Sequence, residues 1–165
     1  MRTLPPRLLL ATGLLACLCT SATAQAPATE PAPSGYDAAL AQRLGADARG
    51  MRKYILVLLK TGPTRVPDGP ERDAMFAGHF ANMARWSEAG QLVLAGPFMA
   101  DAAGWRGLYV FAVDGIDAAR ALTDTDPVIV NGEMVAEYRE WYGTAALGLI
   151  PDWHERIVPP AAASD

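Results

Sequence analysis

Cysteine is missing from all of this chain except its start, where Cys17 and Cys19 are the two that the sequence contains. Beyond them the chain has no disulfide, no thiolate nucleophile and no cysteine metal site. Histidine is almost as scarce, with His79 and His154 the two copies. We therefore expect no metal site, and a domain that is stabilised by its hydrophobic core alone.

Clustered positive charge is also missing. The formal net charge is −4, and Lys53 and Lys60 are the two lysines, with arginine supplying the other basic residues. Because binding to nucleic acid needs Lys and Arg concentrated on one surface, we do not expect nucleic acid as a partner. The sequence also shows no phosphate-binding loop and no nucleophile triad, so function has to be inferred from the placement of individual residues.

Residues 1–24 have the pattern of a signal peptide. Arg2 and Arg7 supply positive charge, and the apolar run Leu8–Leu18 is too short to span a membrane comfortably. Ala22-Thr23-Ala24 places small residues at the cleavage positions, so cleavage is expected before Gln25. The protein is therefore expected to be exported, periplasmic or secreted, without a membrane span.

Leu14-Leu15-Ala16-Cys17 allows a second interpretation of the same segment, as a lipoprotein signal. In that case Cys17 carries a lipid that anchors the protein to a membrane. Leucine is not the preferred residue at the second position of such a signal, whereas Ala-Thr-Ala is a good cleavage site. Both interpretations take the protein out of the cytoplasm.

The rest of the chain divides into three parts. Residues 25–50 are expected to form a Pro- and Ala-rich tether with a short helix over Tyr36–Leu44. Residues 51–144 are expected to form the folded domain. Residues 145–165 are expected to be a C-terminal tail with one turn around Pro151–Glu155.

Within 51–144 the patterns predict the order strand, helix, strand, strand, helix, strand. Short apolar or alternating runs indicate the strands, and apolar residues three and four positions apart indicate the helices. The elements are expected at Lys53–Leu59, Pro70 to about Ala89, Gln91–Ala95, Trp105–Val113, a helix that starts within Asp114–Asp117 and ends near Thr125-Asp126, and Met134–Tyr142, with Val128–Gly132 as a connector.

This order predicts an α+β fold, the ferredoxin-like β-α-β-β-α-β sandwich, with both helices on one face of an antiparallel sheet. The opposite face carries apolar residues and no predicted helix covers it. Packing of this face against a second copy of the chain would bury it. We therefore expect a homodimer of the dimeric α/β barrel type.

His79 lies on the apolar stripe of the first long helix, where Met75, Phe76, Met83 and Trp86 recur at intervals of three and four residues. A lone histidine in such a stripe is usually a core residue with satisfied hydrogen bonds. A histidine there can also serve as an acid or base if a carboxylate orients it. The residues alone leave both interpretations open.

The segments Gly78–Ala81, Glu88–Pro97 and Thr123–Pro127, followed by Gly132, together resemble the YCII (YciI-like) domain family over roughly Lys53–Tyr142. The stretch Trp141–Leu147, with Pro151 and His154 beyond it, resembles an exported subgroup of that family. Many members have an aromatic residue where this chain has Val128.

This resemblance implies a ferredoxin-like dimer with an active site built on a histidine–aspartate pair, here His79 and Asp126. A similar enzyme is a dehydrochlorinase that acts on a chlorinated hydroxyquinol. Asp124 is a second-choice carboxylate and is expected to be solvated. Asp126 also has an ordinary structural explanation, because aspartate before proline is common where a helix ends.

Two hypotheses for function follow. In the first, the protein is a small cofactor-independent enzyme of lyase, isomerase or dehydrochlorinase type, and the His79–Asp126 pair moves a proton on a small, cyclic or aromatic substrate. Gly96, Pro97 and Tyr109 are the expected substrate-binding residues, although Gly96-Pro97 is equally well explained as a strand end. In the second, the protein is a non-catalytic ligand-binding or structural homodimer, and the pair is a buried hydrogen bond that helps to specify the core.

Overall fold

The computed structural model describes residues 35–100 and 102–159. The predicted signal peptide and the predicted lipid site at Cys17 lie outside the described residues. The elements are α1 (Ala38–Arg43), β1 (Met51–Thr61), α2 (Pro70–Glu88), β2 (Leu92–Pro97), β3 (Trp105–Phe111), α3 (Ile116–Thr123), α4 (Pro127–Val130), β4 (Met134–Thr144), a 3₁₀ helix (Ala145–Leu149) and α5 (Ile150–Ile157).

The four strands form one antiparallel sheet in the order β2-β3-β1-β4. The strand β1 is central, and Val57 on it pairs with Tyr109 of β3 on one side and with Tyr138 of β4 on the other. Its near-continuous apolar sequence fits a strand whose side chains pack into apolar clusters on both faces of the sheet. The predicted β-α-β-β-α-β order and the α+β fold are confirmed.

The main core lies on the face of the sheet that carries the helices. Its strand residues point from β1, β3 and β4 toward the apolar stripe of α2, and Trp86 of that helix packs edge-on against two rings of β3. The fully buried members with the largest side chains include Trp86, Tyr109, Phe111, Val57 and Val128. This core fixes the position of α2 over the sheet.

The opposite face of the sheet is not entirely bare, and here the prediction was wrong. Leu147 of the 3₁₀ helix packs against a second cluster formed by Tyr54, Val93 and Val110. The C-terminal tail therefore covers part of the face that was expected to have no helical cover. Apolar side chains remain exposed on the chain, among them Leu94, Val135 and Trp141.

Two further segments differ from the prediction. The expected connector after Asp126 begins with the one-turn helix α4, and the expected turn near Pro151 is the two-turn helix α5. Both helices are too short to show the periodicity that reveals a longer helix in sequence. Within the described residues, no helix has the length and apolar character needed to cross a membrane.

Candidate functional site

The helix α2 carries the histidine into the core. Pro70 occupies its first turn, where a missing N–H costs nothing, and Glu71 and Asp73 place negative charge at the positive end of the helix dipole. His79 is 7% exposed and lies on the buried face together with Asn82 and other core residues. The predicted apolar stripe of α2 is therefore the face that meets the sheet.

Asp126 approaches His79 from the start of α4, because it is the N-cap residue of that helix. Its Oδ1 accepts a hydrogen bond from the backbone N–H of Val128 at 3.2 Å, the usual role of an N-cap aspartate. The loop before it is tied to α2, since Asn82 Nδ2 donates to the carbonyl oxygen of Thr125 at 3.0 Å. The carboxylate is thereby held against α2 with no exposed surface.

Gly78 makes this close approach between α2 and α4 possible. A Cβ atom at Gly78 would lie 2.9 Å from Cγ of Pro127, closer than real side chains pack. Glycine inside a helix costs about 1 kcal/mol relative to alanine. The residue before the histidine therefore lowers helix propensity and lets the aspartate loop come close to the imidazole.

His79, Asp126 and Tyr109 form a buried hydrogen-bonded cluster. Nδ1 of His79 lies 2.9 Å from Oδ2 and 3.1 Å from Oδ1 of Asp126. The Tyr109 hydroxyl donates to Oδ2 of the same carboxylate at 3.1 Å, and it lies 3.2 Å from Nδ1 of His79. A carboxylate in this position favours the tautomer in which Nδ1 carries the proton and donates it to Asp126.

Tyr109 remains a neutral phenol in this setting. Burial raises the pKa of its hydroxyl well above the usual value, and the negative charge of Asp126 and the hydrogen bond to it raise the pKa further. The ring is held by edge-on contacts to Trp86 and Phe111, with ring centres 5.9 and 5.5 Å away. Tyr109 therefore acts as a fixed donor to the carboxylate.

The second ring nitrogen of His79, Nε2, retains some accessible surface. Among the described residues, every hydrogen bond of His79 uses Nδ1. In the same part of the chain, no fully enclosed side-chain nitrogen or oxygen lacks a hydrogen-bond partner. Nε2 is therefore not enclosed, and it is available to accept or donate a proton.

The space beside His79 is a pocket of about 290 Å³ between α2 and the end of the sheet. Aromatic and aliphatic side chains make up most of its wall, and His79, Tyr109 and Arg106 are its polar side chains. Gly96 and Pro97 also line it, so the structure brings all five predicted site residues to one place, with Asp126 behind the histidine. The remaining lining residues are Leu59, Phe76, Phe80, Met83, Phe98, Gly107, Leu108 and Met134.

Gly96 and Pro97 are the last two residues of β2, an edge strand of the sheet, whereas the prediction ended this strand at Ala95. Among the described residues, a Cβ atom at Gly96 would meet nothing within 4 Å. Packing within the chain therefore does not require glycine at this position.

A second buried carboxylate, Glu133, lies near the pocket and is surrounded by arginine. Its Oε1 is 2.9 Å from Arg72, 3.6 Å from Arg106 and 3.8 Å from Arg65, and its Oε2 accepts from the backbone N–H of Val66 at 2.9 Å. The hydrogen bond from Arg72, together with the Val66 N–H and the charges of Arg72 and Arg106, lowers the pKa of Glu133 to about 2.

The other sequence candidates lie elsewhere. Asp124 is exposed at the C-terminal end of α3, and His154 is exposed on α5, away from the pocket of His79. Val128 is fully buried in the main core and does not line the pocket. In residues 35–100 and 102–159, no group of three or more His, Cys, Asp or Glu side chains is arranged to hold a metal ion.

Some residues of the site were missed by reasoning from sequence. Glu133 has no distinguishing feature in the sequence, and the apolar patterns place Phe76, Met83 and Met134 in the core or in a strand rather than in a pocket wall. The role of Gly78 had one visible signal, because a glycine inside a strongly predicted helix indicates a close approach. The cluster around Glu133 had no such signal, since its members come from distant parts of the chain.

Comparison with solved structures finds a similar chain in the 5-chloro-2-hydroxyhydroquinone dehydrochlorinase of Burkholderia phenoliruptrix, in complex with 2,5-dihydroxybenzoquinone. The two chains are 15% identical, and the match covers 53% of this chain and 92% of that chain with a TM-score of 0.43. Comparison with curated protein sequences gives no match. The family model of the YCII-related domain matches residues 52–142, which is more than half of the sequence. This chain therefore belongs to the YCII-related domain family.

Proposed function

We propose that this protein is a small enzyme in which His79, oriented by Asp126, transfers a proton on a small cyclic or aromatic organic substrate. One observation carries the proposal: Nδ1 of His79 is held by a buried carboxylate at 2.9 Å, Nε2 has no hydrogen-bond partner among the described residues, and the residue lines a pocket. This division of roles between the two nitrogens is what general acid–base catalysis by histidine requires.

The proposed step begins when Nε2 of His79 accepts a proton from a carbon or hydroxyl group of the substrate. The imidazolium that forms is stabilised by the negative charge of Asp126. In an isomerisation, the same proton is returned to a different atom of the substrate. In an elimination, the electrons of the broken C–H bond form a double bond, and the leaving group departs with its electron pair.

The size and lining of the pocket support a substrate of one ring. A cavity of about 150 Å³ is enough for a benzene molecule, so about 290 Å³ accommodates one six-membered ring with several substituents. Phe76, Phe80 and Phe98 supply aromatic surface for such a ring. The apolar wall also strengthens electrostatic effects at the histidine, because the effective dielectric constant is lower there.

A structural role for the pair is the second candidate, and the cap of α4 is the observation that favours it. Asp126 accepts from the Val128 N–H as well as from His79 and Tyr109, so the carboxylate joins three segments of the chain. A buried network of this kind can specify one packing arrangement without any catalysis. The catalytic role and the structural role of the pair predict different effects of replacing His79.

The test is an activity screen of the full chain against cyclic hydroxylated, keto and halogenated compounds of one ring. We expect His79→Gln to lower, at least 100-fold, the rate of reaction with any compound that the wild type converts, since general acid–base catalysis contributes about 10²–10⁴-fold. The matched control is His154→Gln, which changes the exposed histidine and should leave the rate unchanged. If His79→Gln keeps the wild-type rate, or if both variants lose it equally, the catalytic role of His79 is wrong.

We also propose a homodimer in which the sheet face opposite the helices packs against the same face of a second copy. The exposed side chains of Val135 and Trp141 support this arrangement, because the partly buried Leu147 covers only part of the face. Light scattering should give the mass of a dimer for the wild type, and Val135→Lys should shift it toward the monomer. A monomeric wild type at micromolar concentration would contradict the proposal.

Export is a further proposal, and it depends on the segment with signal-peptide character at residues 1–24. Its test is mass spectrometry of the protein isolated from a bacterial host. A mature N-terminus at Gln25 supports cleavage by an ordinary signal peptidase, and an acylated N-terminus at Cys17 supports a lipoprotein. A full-length chain in the cytoplasm would contradict both.

A further inference from the structure

Arg106 is the polar side chain of the pocket that the proposed proton transfer does not use. It is on β3, three residues before Tyr109, and its side chain is 28% exposed. In a regular strand, residues three apart point to opposite faces of the sheet. Arg106 and Tyr109 nevertheless line the same pocket.

A β-bulge accounts for this placement. On the neighbouring strand β1, Leu59 pairs with Gly107 and Lys60 pairs with Trp105, so Arg106 is an extra residue without a partner in the register. Bulges of this kind redirect a side chain and are frequent beside active sites. The irregularity in the sheet therefore brings a cation to the wall of the pocket.

The charges around Glu133 leave this cation without a full counter-ion. Arg65 lies 3.0 Å from the carboxylate of Asp68, and Arg72 lies 2.9 Å from that of Glu133. The remaining guanidinium, that of Arg106, is 3.6 Å from an oxygen of Glu133 that Arg72 already occupies. Three positive groups thus share two carboxylates, and the group with the weakest pairing is the one that lines the pocket.

The N–H donors of Arg106 also make no hydrogen bond in the part of the chain that the structure describes. The single ionic contact found there for Arg106, to Glu133, is longer than a hydrogen bond. A guanidinium has five N–H donors in a planar fork that matches the two oxygens of a carboxylate. A half-buried arginine with free donors beside an apolar pocket is an arrangement that favours an anionic ligand.

We propose that Arg106 binds the anionic group of the substrate, so that this pocket selects small cyclic or aromatic acids, carboxylates or acidic phenols, over neutral compounds of the same shape. The inference rests on the proposed function, since it names the substrate class of the same pocket. In this arrangement Arg106 holds the charged end of the ligand, and His79 meets the part of the ring that exchanges a proton. Glu133, 3.6 Å away, remains a weak partner of the guanidinium.

The experiment measures binding rather than turnover, with benzoate and its neutral isostere benzamide as probes. Isothermal titration calorimetry on the full chain at pH 7.5 should show that benzoate binds the wild type at least 10-fold more tightly than benzamide. Arg106→Gln should abolish this preference, and Arg106→Lys should retain part of it. Equal binding of the two probes to the wild type, or binding of neither, would overturn the proposal.

Arg65→Gln is the matched control, because Arg65 also faces Glu133 but is 64% exposed and does not line the pocket. Arg65→Gln should keep the preference for benzoate. If Arg65→Gln and Arg106→Gln lose the preference equally, the preference comes from the overall positive charge and not from a specific contact with Arg106, and the proposal is wrong. Failure of the proposed catalysis is distinguishable, since His79→Gln should still prefer benzoate. A preference for the anion without any activity in the screen would leave this inference intact and remove the enzymatic one.

Discussion

Asp126 and Glu133 are two buried carboxylates that flank the same short helix, α4, and they have opposite kinds of partner. Asp126 is fully buried and Glu133 is 2% exposed. Asp126 faces a histidine and a tyrosine, whereas Glu133 faces three arginines. Arginine does not lose its proton at any ordinary pH, whereas a histidine side chain can both accept and release one.

The side chains that contact a buried carboxylate therefore determine what that carboxylate does. The arginines keep Glu133 ionised, with a pKa of about 2, so this carboxylate is a permanent part of the charge network. The partner of Asp126 can gain and lose a proton at Nε2 while Nδ1 stays bound. We therefore expect changes at Glu133 to act mainly on stability, and changes at Asp126 to act mainly on the state of His79.

The largest effect is expected from Glu133→Gln. The substitution leaves Arg72 and Arg106 facing a neutral amide in a buried site, and breaking a buried pair by removing one partner costs about 3–5 kcal/mol. Denaturant unfolding should therefore show a loss of about 4 kcal/mol in the free energy of unfolding. A loss below about 1 kcal/mol would mean that the arginines find other partners or water.

Acid should produce a slightly smaller effect through the same residue. The folded pKa of Glu133, about 2, lies below its ordinary value of 4.5, so its contribution is complete above pH 4.5 and is lost as the pH falls toward 2. The shift corresponds to about 3 kcal/mol at 1.36 kcal/mol per pKa unit.

The measurement is the free energy of unfolding of the wild type and Glu133→Gln between pH 5 and pH 2. The difference between the two proteins isolates Glu133, because Asp47 and Glu137, whose pKa values are also lowered, are present in both. The stability gap should close as the pH falls. A gap that stays constant down to pH 2 would show that Glu133 is not held ionised by its partners.

Asp126→Asn is expected to cost less than Glu133→Gln. Asparagine keeps an oxygen that can cap α4 and accept from His79, so about 2 kcal/mol is expected from weaker hydrogen bonds in a buried site. Thermal unfolding of both variants under the same conditions checks the order. If Asp126→Asn is the more destabilising of the two, the distinction between a structural and a functional carboxylate is reversed.

Gly78→Ala is expected to have the smallest net effect on stability and a clear effect on geometry. The new methyl group would lie 2.9 Å from Pro127, and overpacking of this kind costs about 1–3 kcal/mol. Better helix propensity offsets about 1 kcal/mol of that cost, so a net loss of about 1 kcal/mol is expected. Ala77→Gly is a control on the exposed side of α2, where only the propensity changes.

A crystal structure of Gly78→Ala should show α4 displaced from α2 and a longer distance between His79 and Asp126. A variant that is more stable than the wild type, with the pair unchanged, would show that the close approach does not depend on glycine.

Much of the fold was predictable because its long elements have clear patterns. The stripe of α2 and the apolar run of β1 fix the orientation of both elements, and the family resemblance supplied Asp126 as the partner of His79. The four-residue helix α4 could not be predicted, because one turn has no periodicity. Its role in positioning Asp126 is visible only in three dimensions.

The bulge at Arg106 was equally hidden. An alternating pattern along β3 predicts the face of each side chain only while the register is regular, and one extra residue reverses the assignment for its neighbours. The arginines around Glu133 come from three places, Arg106 from this bulge, Arg65 from a loop and Arg72 from the start of α2. Charge networks between distant segments have no local signature, so their discovery requires the structure.

Asp126 is proposed to hold Nδ1–H of His79 and to leave Nε2 free for proton transfer. Long-range ¹H–¹⁵N correlation NMR on histidine-labelled protein, above the pH at which the ring is protonated, reads this tautomer directly. The chain contains two histidines, so the spectrum of His154→Gln assigns the signals of His79 without ambiguity. We expect a single Nδ1–H tautomer in the wild type and a mixture in Asp126→Leu. An Nε2–H tautomer in the wild type would contradict this proposal.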